Sequence, residues 1–478
     1  VTHLLLIVAA VAVVLSDAAP NPPVDLGAWA VAALVWGAAL VPWVIAHSLV
    51  VRGVRIMDRR GGMRGALLAE RALATARVVA CVATAAGALV LGWLGVVRRA
   101  IGDWPALDEL AALAPLIVAL VLGWFSQHAI EQRVNDALVL RRLDEGEPLP
   151  RRRGALSFVV AQVRLQMLFI LVPVFAMLAW AEGVAWLEAG ASGPQPAHLP
   201  GWIASPGSVS VWAPVAQLGG VAVILCVMPA VLRRLWDTAP LDPGPLRDTV
   251  GRVFRLAGVR VREVLVWRTD GRMANAAIVG LVRPLRYLLL SDALLEHLTD
   301  VQLEAVVAHE AAHVRRRHMP WLAVVLLATM IVVSLPVGLV GEATGLDPDS
   351  WVWLVMQSAA ALIAAAWMFG LVSRRFEWEA DAFAVRQLSG HAVEPEAAWA
   401  MAGALEQVAR LNHVPRSKRS WRHGSIATRT RRIDRLVGTP VDRLPIDRLC
   451  RRIRLAGLVA LVLGGGAALA FTLPISLV

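Results

Sequence analysis

Residues 309–313 read His-Glu-Ala-Ala-His. Histidines four apart lie on one face of a helix, so both rings can bind one metal ion. A glutamate between them reaches a water on that metal and can act as its base. The chemistry this implies is hydrolysis. A catalytic zinc ion takes three protein ligands and keeps one position open. One known extension of the motif would need glycine at 316 and histidine at 319, but Arg316 and Met319 stand there. His318, five residues after His313, falls on a different helix face and reads as solvated. A carboxylate from a later helix is the remaining solution. In 373–388, Glu377 and Asp381 are four apart and share a face, whereas Glu379 points elsewhere. Glu377 can complete the metal site. Asp381 can then accept a hydrogen bond from the second nitrogen of a liganding imidazole and fix its tautomer. The bland reading of the same pair is a solvated acidic couple at a helix start, favoured there by the helix dipole. The His-Glu-x-x-His motif tips the balance towards a ligand.

These positions belong to two stretches that have to fold around them. Pro240, Pro243 and Pro245 mark a linker. Residues 246–257 carry Leu246, Val250, Val253, Phe254 and Ala257 on one face, the pattern of an amphipathic helix. Residues 259–267 read as a strand, followed by a turn at 269–271. Residues 274–282 and 286–290 read as two short strands around Pro284. Thr299 opens the next helix, with Gln302 three residues on as a capping box. That helix is expected to run to about His318 and stop before Pro320. The second stretch, from residue 373, reads as a helix continuing a long apolar segment.

The chain resembles metallopeptidase family 48, the CAAX prenyl protease and HtpX type of integral-membrane zinc endopeptidase. The matching features are His309-Glu310-x-x-His313, two apolar spans, then Glu377-x-x-x-Asp381, with Ala274-Asn275-Ala276 upstream and His423-Gly424-Ser425 with Arg429 downstream. The family usually has His-Pro where this chain has His423-Gly424, and a hydrophobic residue where it has Thr430. The resemblance covers about residues 240–435. It implies a glutamate-zincin fold, one Zn2+ bound by His309, His313 and Glu377, and Glu310 as general base. It further implies that Asn275 holds substrate backbone, that His423 stabilises the oxyanion and that Arg429 supports the site. Read alone, the last three residues would be turn or solvated positions.

Composition limits what surrounds this chemistry. The 478 residues are 58% hydrophobic and 17% charged, with mean hydropathy +0.62. A soluble domain averages about 25% charged residues. A bilayer crossing needs about 20 apolar residues. Such runs occur at 26–47, 76–97, 110–125, 158–180, 211–232, 321–340, 351–372 and 455–473, with a shorter one at 1–15. Tryptophans 29, 43, 93, 124, 180, 212, 321 and 351 lie near their ends, as in an aromatic belt. The short first run reads either as an anchor or as a signal peptide ending near Ala18 and Ala19.

The net charge is +11. It is almost all arginine, and it alternates. Residues 48–75, 126–157, 233–320 and 373–454 are arginine-rich, while 16–25, 181–210 and 341–350 hold no Lys or Arg. Residues 98–109, with Arg98 and Arg99, are a mild exception. By the positive-inside rule the basic segments face the cytoplasm. The three cysteines are far apart, which excludes a disulfide framework or a thiolate zinc site. No stacking aromatics or recognition fold accompany the basic runs, so nucleic acid is not expected as a partner; anionic lipid headgroups are.

The expectation is a mostly α, polytopic membrane protein, a helical bundle plus a small α+β glutamate-zincin peptidase domain. Its expected parts are 1–232 as an N-terminal membrane region and 233–320 and 373–454 as two halves of the peptidase. Residues 321–372 form a hairpin between those halves, and 455–478 a last segment. The expected activity is zinc-dependent hydrolysis of peptide bonds in membrane-associated or misfolded polypeptides, at the cytoplasmic face of a bacterial inner membrane. Rival readings are a signal-transducing peptidase of metallopeptidase family 56, and a transporter or scaffold with a vestigial zinc site.

Overall fold

Long runs of Ala, Leu and Val without charges favour helices whose backbone groups are satisfied internally, the requirement inside lipid. The computed structural model forms helices over the described parts of these runs. It describes residues 2–17, 26–60, 64–144, 154–191, 212–269, 271, 273–345 and 351–472. The candidate cleavage residues Ala18 and Ala19, and most of the three loops without arginine, lie outside the described residues. Two compact units divide at Trp236 and Asp237.

The first unit is helical. Its elements are α1 (Thr2–Asp17), α2 (Ala28–Arg60), α3 (Arg64–Leu91), α4 (Trp93–Ile101), α5 (Leu107–Ala112) and α6 (Ala114–Asp144). Then follow α7 (Ala155–Gln162), a π-helical turn (Val163–Leu168), α8 (Phe169–Ala191) and α9 (Trp212–Leu235). Leu6, Val35, Leu113, Leu120 and Trp124 form its core.

The second unit holds the motifs. Its strands are β1 (Thr238–Pro240), β2 (Glu263–Trp267), β3 (Ala276–Val279) and β4 (Tyr287–Ser291). They form one sheet in the order β1-β2-β4-β3, with β2 and β4 parallel and the outer pairs antiparallel. Its helices are α10 (Pro245–Ala257), α11 (Asp292–His297), α12 (Asp300–Arg315), α13 (His318–Thr344), α14 (Trp351–Gln387), α15 (Pro395–Leu411), α16 (Ile426–Asp434) and α17 (Pro445–Thr472). Apolar faces of α10, α12, α14 and α15 pack with β4 into one core that includes Phe254, Leu288, Val307, Val385 and Met401.

Two local expectations change. Pro240 is not linker but the last residue of β1, on a sheet edge where the missing N–H costs no ladder bond. The motif helix ends at Arg315 rather than near His318. Arg317 takes a left-handed conformation (φ 54°), and α13 starts afresh at His318 with Pro320 in its first turn. Proline is tolerated there because first-turn N–H groups have no intrahelical partner.

Among the described residues, seven helices are long and apolar enough to cross a membrane: Ala28–Arg59, Arg64–Leu91, Ala114–Val134, Ala155–Glu188, Trp212–Leu235, His318–Gly338 and Met356–Gln387. The expected last crossing is a helix, α17, but stands outside these seven; its first half carries Arg448, Arg451, Arg452 and Arg454. The first run is a shorter apolar helix, Thr2–Ser16.

Candidate metal centre

The capping box at the start of α12 forms as its residue types require. Thr299 Oγ1 accepts from Gln302 N at 3.4 Å, and Gln302 Oε1 accepts from Thr299 N at 3.2 Å. A helix begun there carries His309 and His313 one turn apart. Their Nε2 atoms face each other at 3.3 Å. From α14, the Glu377 carboxylate closes the triangle. Oε2 lies 3.7 Å from His309 Nε2, and Oε1 lies 3.7 Å from His313 Nε2. Ligands at zinc bond lengths in a tetrahedron stand ~3.4 Å apart, so the three groups are spaced as one ion would need. His309, Glu310 and His313 also present ligand atoms within 4.8 Å of one another.

The protons fit a cation as well. His309 Nδ1 lies 3.0 Å from Asp381 Oδ1, so its proton belongs on that side and Nε2 is left with a lone pair. Arg429 of α16 grips Asp381 with Nε to Oδ2 at 2.8 Å and Nη2 to Oδ1 at 2.6 Å, and its Nη1 stands 3.2 Å from Glu377 Oε2. Burial opposes the Arg429 charge, but Asp381 more than offsets it and holds the guanidinium charged. Burial also works against a charged His309, yet the Asp381 contact wins and raises that imidazole, so a cation bound at Nε2 would take the place of a second proton there. Burial pushes His313 well below the usual imidazole range, so it is neutral. Glu310 is pushed up to about 7, by burial first; His309 opposes and Glu377 adds. Lone pairs and a carboxylate converge on one point, the donor set of a hydrolytic zinc site.

Arg429 is placed by a helix start. Ser425 caps α16 by accepting from Thr428 N. Just before it, Gly424 has φ 75°, and Ser420 and Gly424 exchange two backbone hydrogen bonds at 2.9 and 3.0 Å. Proline is locked near −65°, so this tight turn accounts physically for glycine where the resembled family usually has proline. The turn carries His423, whose Nδ1 lies 3.0 Å from Glu377 Oε2 and whose side chain is partly exposed.

Asn275 sits just ahead of β3. Its backbone exchanges hydrogen bonds with Ser291, donating to Oγ and accepting from N, and its side chain is exposed. Asn412, at the end of α15, clamps the preceding residue: its Oδ1 accepts from Ala274 N at 3.1 Å and its Nδ2 donates to Ala274 O at 2.7 Å. Among the described residues β3 pairs with β4 alone, and on its other edge Ile278 N–H donates to Glu310 Oε2 at 3.1 Å. The edge strand thus lies against the glutamate of the motif.

The structure brings His309, Glu310, His313, Glu377, Asp381, His423 and Arg429 together, and puts Asn275 beside the neighbouring strand. Two expectations about the surroundings differ. His318 is not solvated but buried, because the break at Arg317 turns it back towards His313. Glu379 does point away from the Nε2 pair, yet it too is buried, against His318. Asn412 gave no signal in the sequence; its role depends on a contact 138 residues away.

Residues 240–437 match the model of peptidase family M48. This segment, less than half of the chain, is similar to that family. Family relatives include the protease HtpX of Xanthomonas campestris pv. campestris (strain B100), 32% identical over 182 residues, which are 35% of this chain and 57% of that protein. The protease HtpX homolog of Janthinobacterium sp. (strain Marseille) is 32% identical over 153 residues, 30% of this chain and 52% of that protein. The homolog from Leptothrix cholodnii is 26% identical over 218 residues, covering 42% and 73%. The chain therefore spans little more than half the length of the first two relatives. Among solved structures, the crystal structure of S. mikatae Ste24p aligns with TM-score 0.39 and 13% identity, covering 87% of this chain and 100% of that one. With its apolar helices, the chain is an integral, multi-pass membrane protein.

Proposed function

We propose that the chain is a membrane zinc metalloendopeptidase. The reading rests above all on one observation: two imidazole Nε2 atoms 3.3 Å apart, faced by the Glu377 carboxylate, with Glu310 between them in sequence. His309, His313 and Glu377 would hold the ion. Bound zinc supplies Lewis-acid polarisation of a peptide carbonyl and makes water acidic near neutral pH.

The other steps belong to the protein. Glu310, with its proton affinity raised to near neutrality, takes a proton from the attacking water and returns it to the leaving amine. Asp381, gripped by Arg429, keeps the His309 proton on Nδ1. His423, on an exposed turn beside Glu377, supplies a hydrogen bond to the oxyanion. The outer edge of β3, whose Ile278 N–H meets Glu310 in the structure, pairs with an extended substrate, and Asn275 at its start holds substrate backbone. Main-chain pairing recognises few side chains, which suits unfolded polypeptides.

The site is built from 233–320 and 373–454, the two long arginine-rich stretches, which supports placing it at the cytoplasmic face of a bacterial inner membrane. There it would cleave membrane-associated or misfolded proteins, in quality control or processing. Zinc content and cleavage of an unstructured polypeptide, measured on detergent-purified protein with and without Glu377→Ala, test the site. The proposal expects zinc and cleavage in wild type and loss of both in the variant; a zinc-replete, active Glu377→Ala protein contradicts it.

A further inference from the structure

The second ring nitrogen of His313 faces away from Glu377. His313 Nδ1 lies 2.9 Å from His318 Nδ1. The other nitrogen of His318, Nε2, lies 2.9 Å from Glu379 Oε2. Both residues are almost fully buried, His318 at 2% and Glu379 at 1% exposure. Arg454 of α17 donates to the same Glu379 Oε2 at 2.5 Å, and Arg316 Nε stands 3.8 Å from Oε1. Phe376 lies flat on the His318 ring, with centroids 4.6 Å apart and planes 5° from parallel.

We infer that Glu379 and His318 are positioning residues, a buried relay anchored by Arg454 that fixes His313 in the tautomer able to ligate zinc through Nε2. The inference rests on the reading of His309, His313 and Glu377 as zinc ligands. The proton positions follow in order. A carboxylate held by an arginine only accepts hydrogen bonds. His318 Nε2 must therefore carry its proton. A neutral ring then leaves Nδ1 as an acceptor, and His313 Nδ1 supplies the proton that it accepts. His313 Nε2 is left with its lone pair aimed at His309 Nε2 and Glu377. With zinc on His313 Nε2, that ring's proton must sit on Nδ1, and a doubly protonated His318 would then set two N–H donors face to face at 2.9 Å, so ligation selects the neutral ring.

Each candidate imidazole ligand thus has its own carboxylate and arginine. His309 has Asp381 and Arg429 directly. His313 has Glu379 and Arg454 through one intervening imidazole. The second line ties the metal centre to the helix α17, which contributes no ligand.

The test uses the whole chain in detergent, with zinc affinity measured by competition against a chromophoric chelator. His318→Leu keeps bulk and removes the acceptor; His318→Asn puts an amide oxygen near the lost Nδ1. The relay predicts that zinc binding weakens by about 10–100-fold in His318→Leu and recovers in His318→Asn. Wild-type affinity in His318→Leu overturns it, and so does an equal loss in both variants. A second measurement needs no variant. In wild type labelled with 15N at histidine, the relay predicts protonated Nδ1 with bare or metal-bound Nε2 on His313, and protonated Nε2 with bare Nδ1 on His318. Any other pair of tautomers overturns it, also if His318→Leu does not fold. A wild-type chain that takes up no zinc contradicts the proposed function instead, and the tautomers still decide the relay.

Discussion

Arg429 meets Asp381 edge to edge, with two hydrogen bonds of 2.8 and 2.6 Å inside a buried site. The same guanidinium reaches Glu377 at 3.2 Å. One cation therefore balances the carboxylate that orients His309 and the carboxylate that completes the ligand triangle. Arg429→Met removes the one guanidinium that both carboxylates share and leaves them only imidazole partners, and removing one partner of a buried pair costs about 3–5 kcal/mol. The expected result is a lower unfolding temperature together with reduced zinc content. Arg429→Lys should fall in between, because an ammonium cannot make the two-pronged contact. Wild-type unfolding and zinc content in Arg429→Met would remove this residue from the account.

The turn after β3 depends on Gly280, which has φ 112°. A Cβ there would lie 2.2 Å from Leu285 O. Gly280→Ala must shift the β3–β4 turn and with it the edge offered to substrate. Such strain costs about 1–3 kcal/mol. Zinc content should stay at the wild-type level, because the turn holds no ligand, while KM for an extended polypeptide rises. An unchanged KM would argue against strand pairing as the binding mode.

In the first unit, Arg98 is shared by two buried acids. Its Nε meets Asp108 Oδ2 at 2.5 Å and its Nη2 meets Glu109 Oε1 at 3.0 Å. One guanidinium neutralises one carboxylate. Burial, with Asp108 adding to it, pushes Glu109 from 4.5 up to about 7. The fold then binds the Glu109 proton more tightly than the unfolded chain does. That contribution is complete below the unfolded value and is lost as pH rises through about 7. Thermal unfolding should therefore show falling stability between about pH 5 and 8, and Glu109→Gln should flatten the slope. An identical slope in the variant contradicts the assignment.

Much of this was legible because the informative contacts are local. The capping box at Thr299, the four-residue spacing of His309 and His313, and that of Glu377 and Asp381 are properties of single helices, which periodicity describes well. His318 was not legible for the same reason. At Arg317 the chain turns left-handed, and helical spacing no longer applies beyond it. Glu379 was placed on the correct face, but its burial depends on Arg454, 75 residues on. β1 was hidden by Pro240, whose proline signals a linker except at a sheet edge. Distant partners and helix breaks are set by tertiary packing, and a local pattern does not carry them.

In the proposed mechanism Glu310 is a proton carrier beside a zinc ion held by other residues. Glu310→Gln separates the two functions, since the amide keeps the shape and cannot take the proton. Zinc content and cleavage of an unstructured polypeptide should be measured side by side on the wild-type and variant proteins. One zinc per chain is expected in both, with cleavage reduced by about 100-fold or more in the variant. A zinc-loaded Glu310→Gln protein that cleaves as fast as wild type would contradict it.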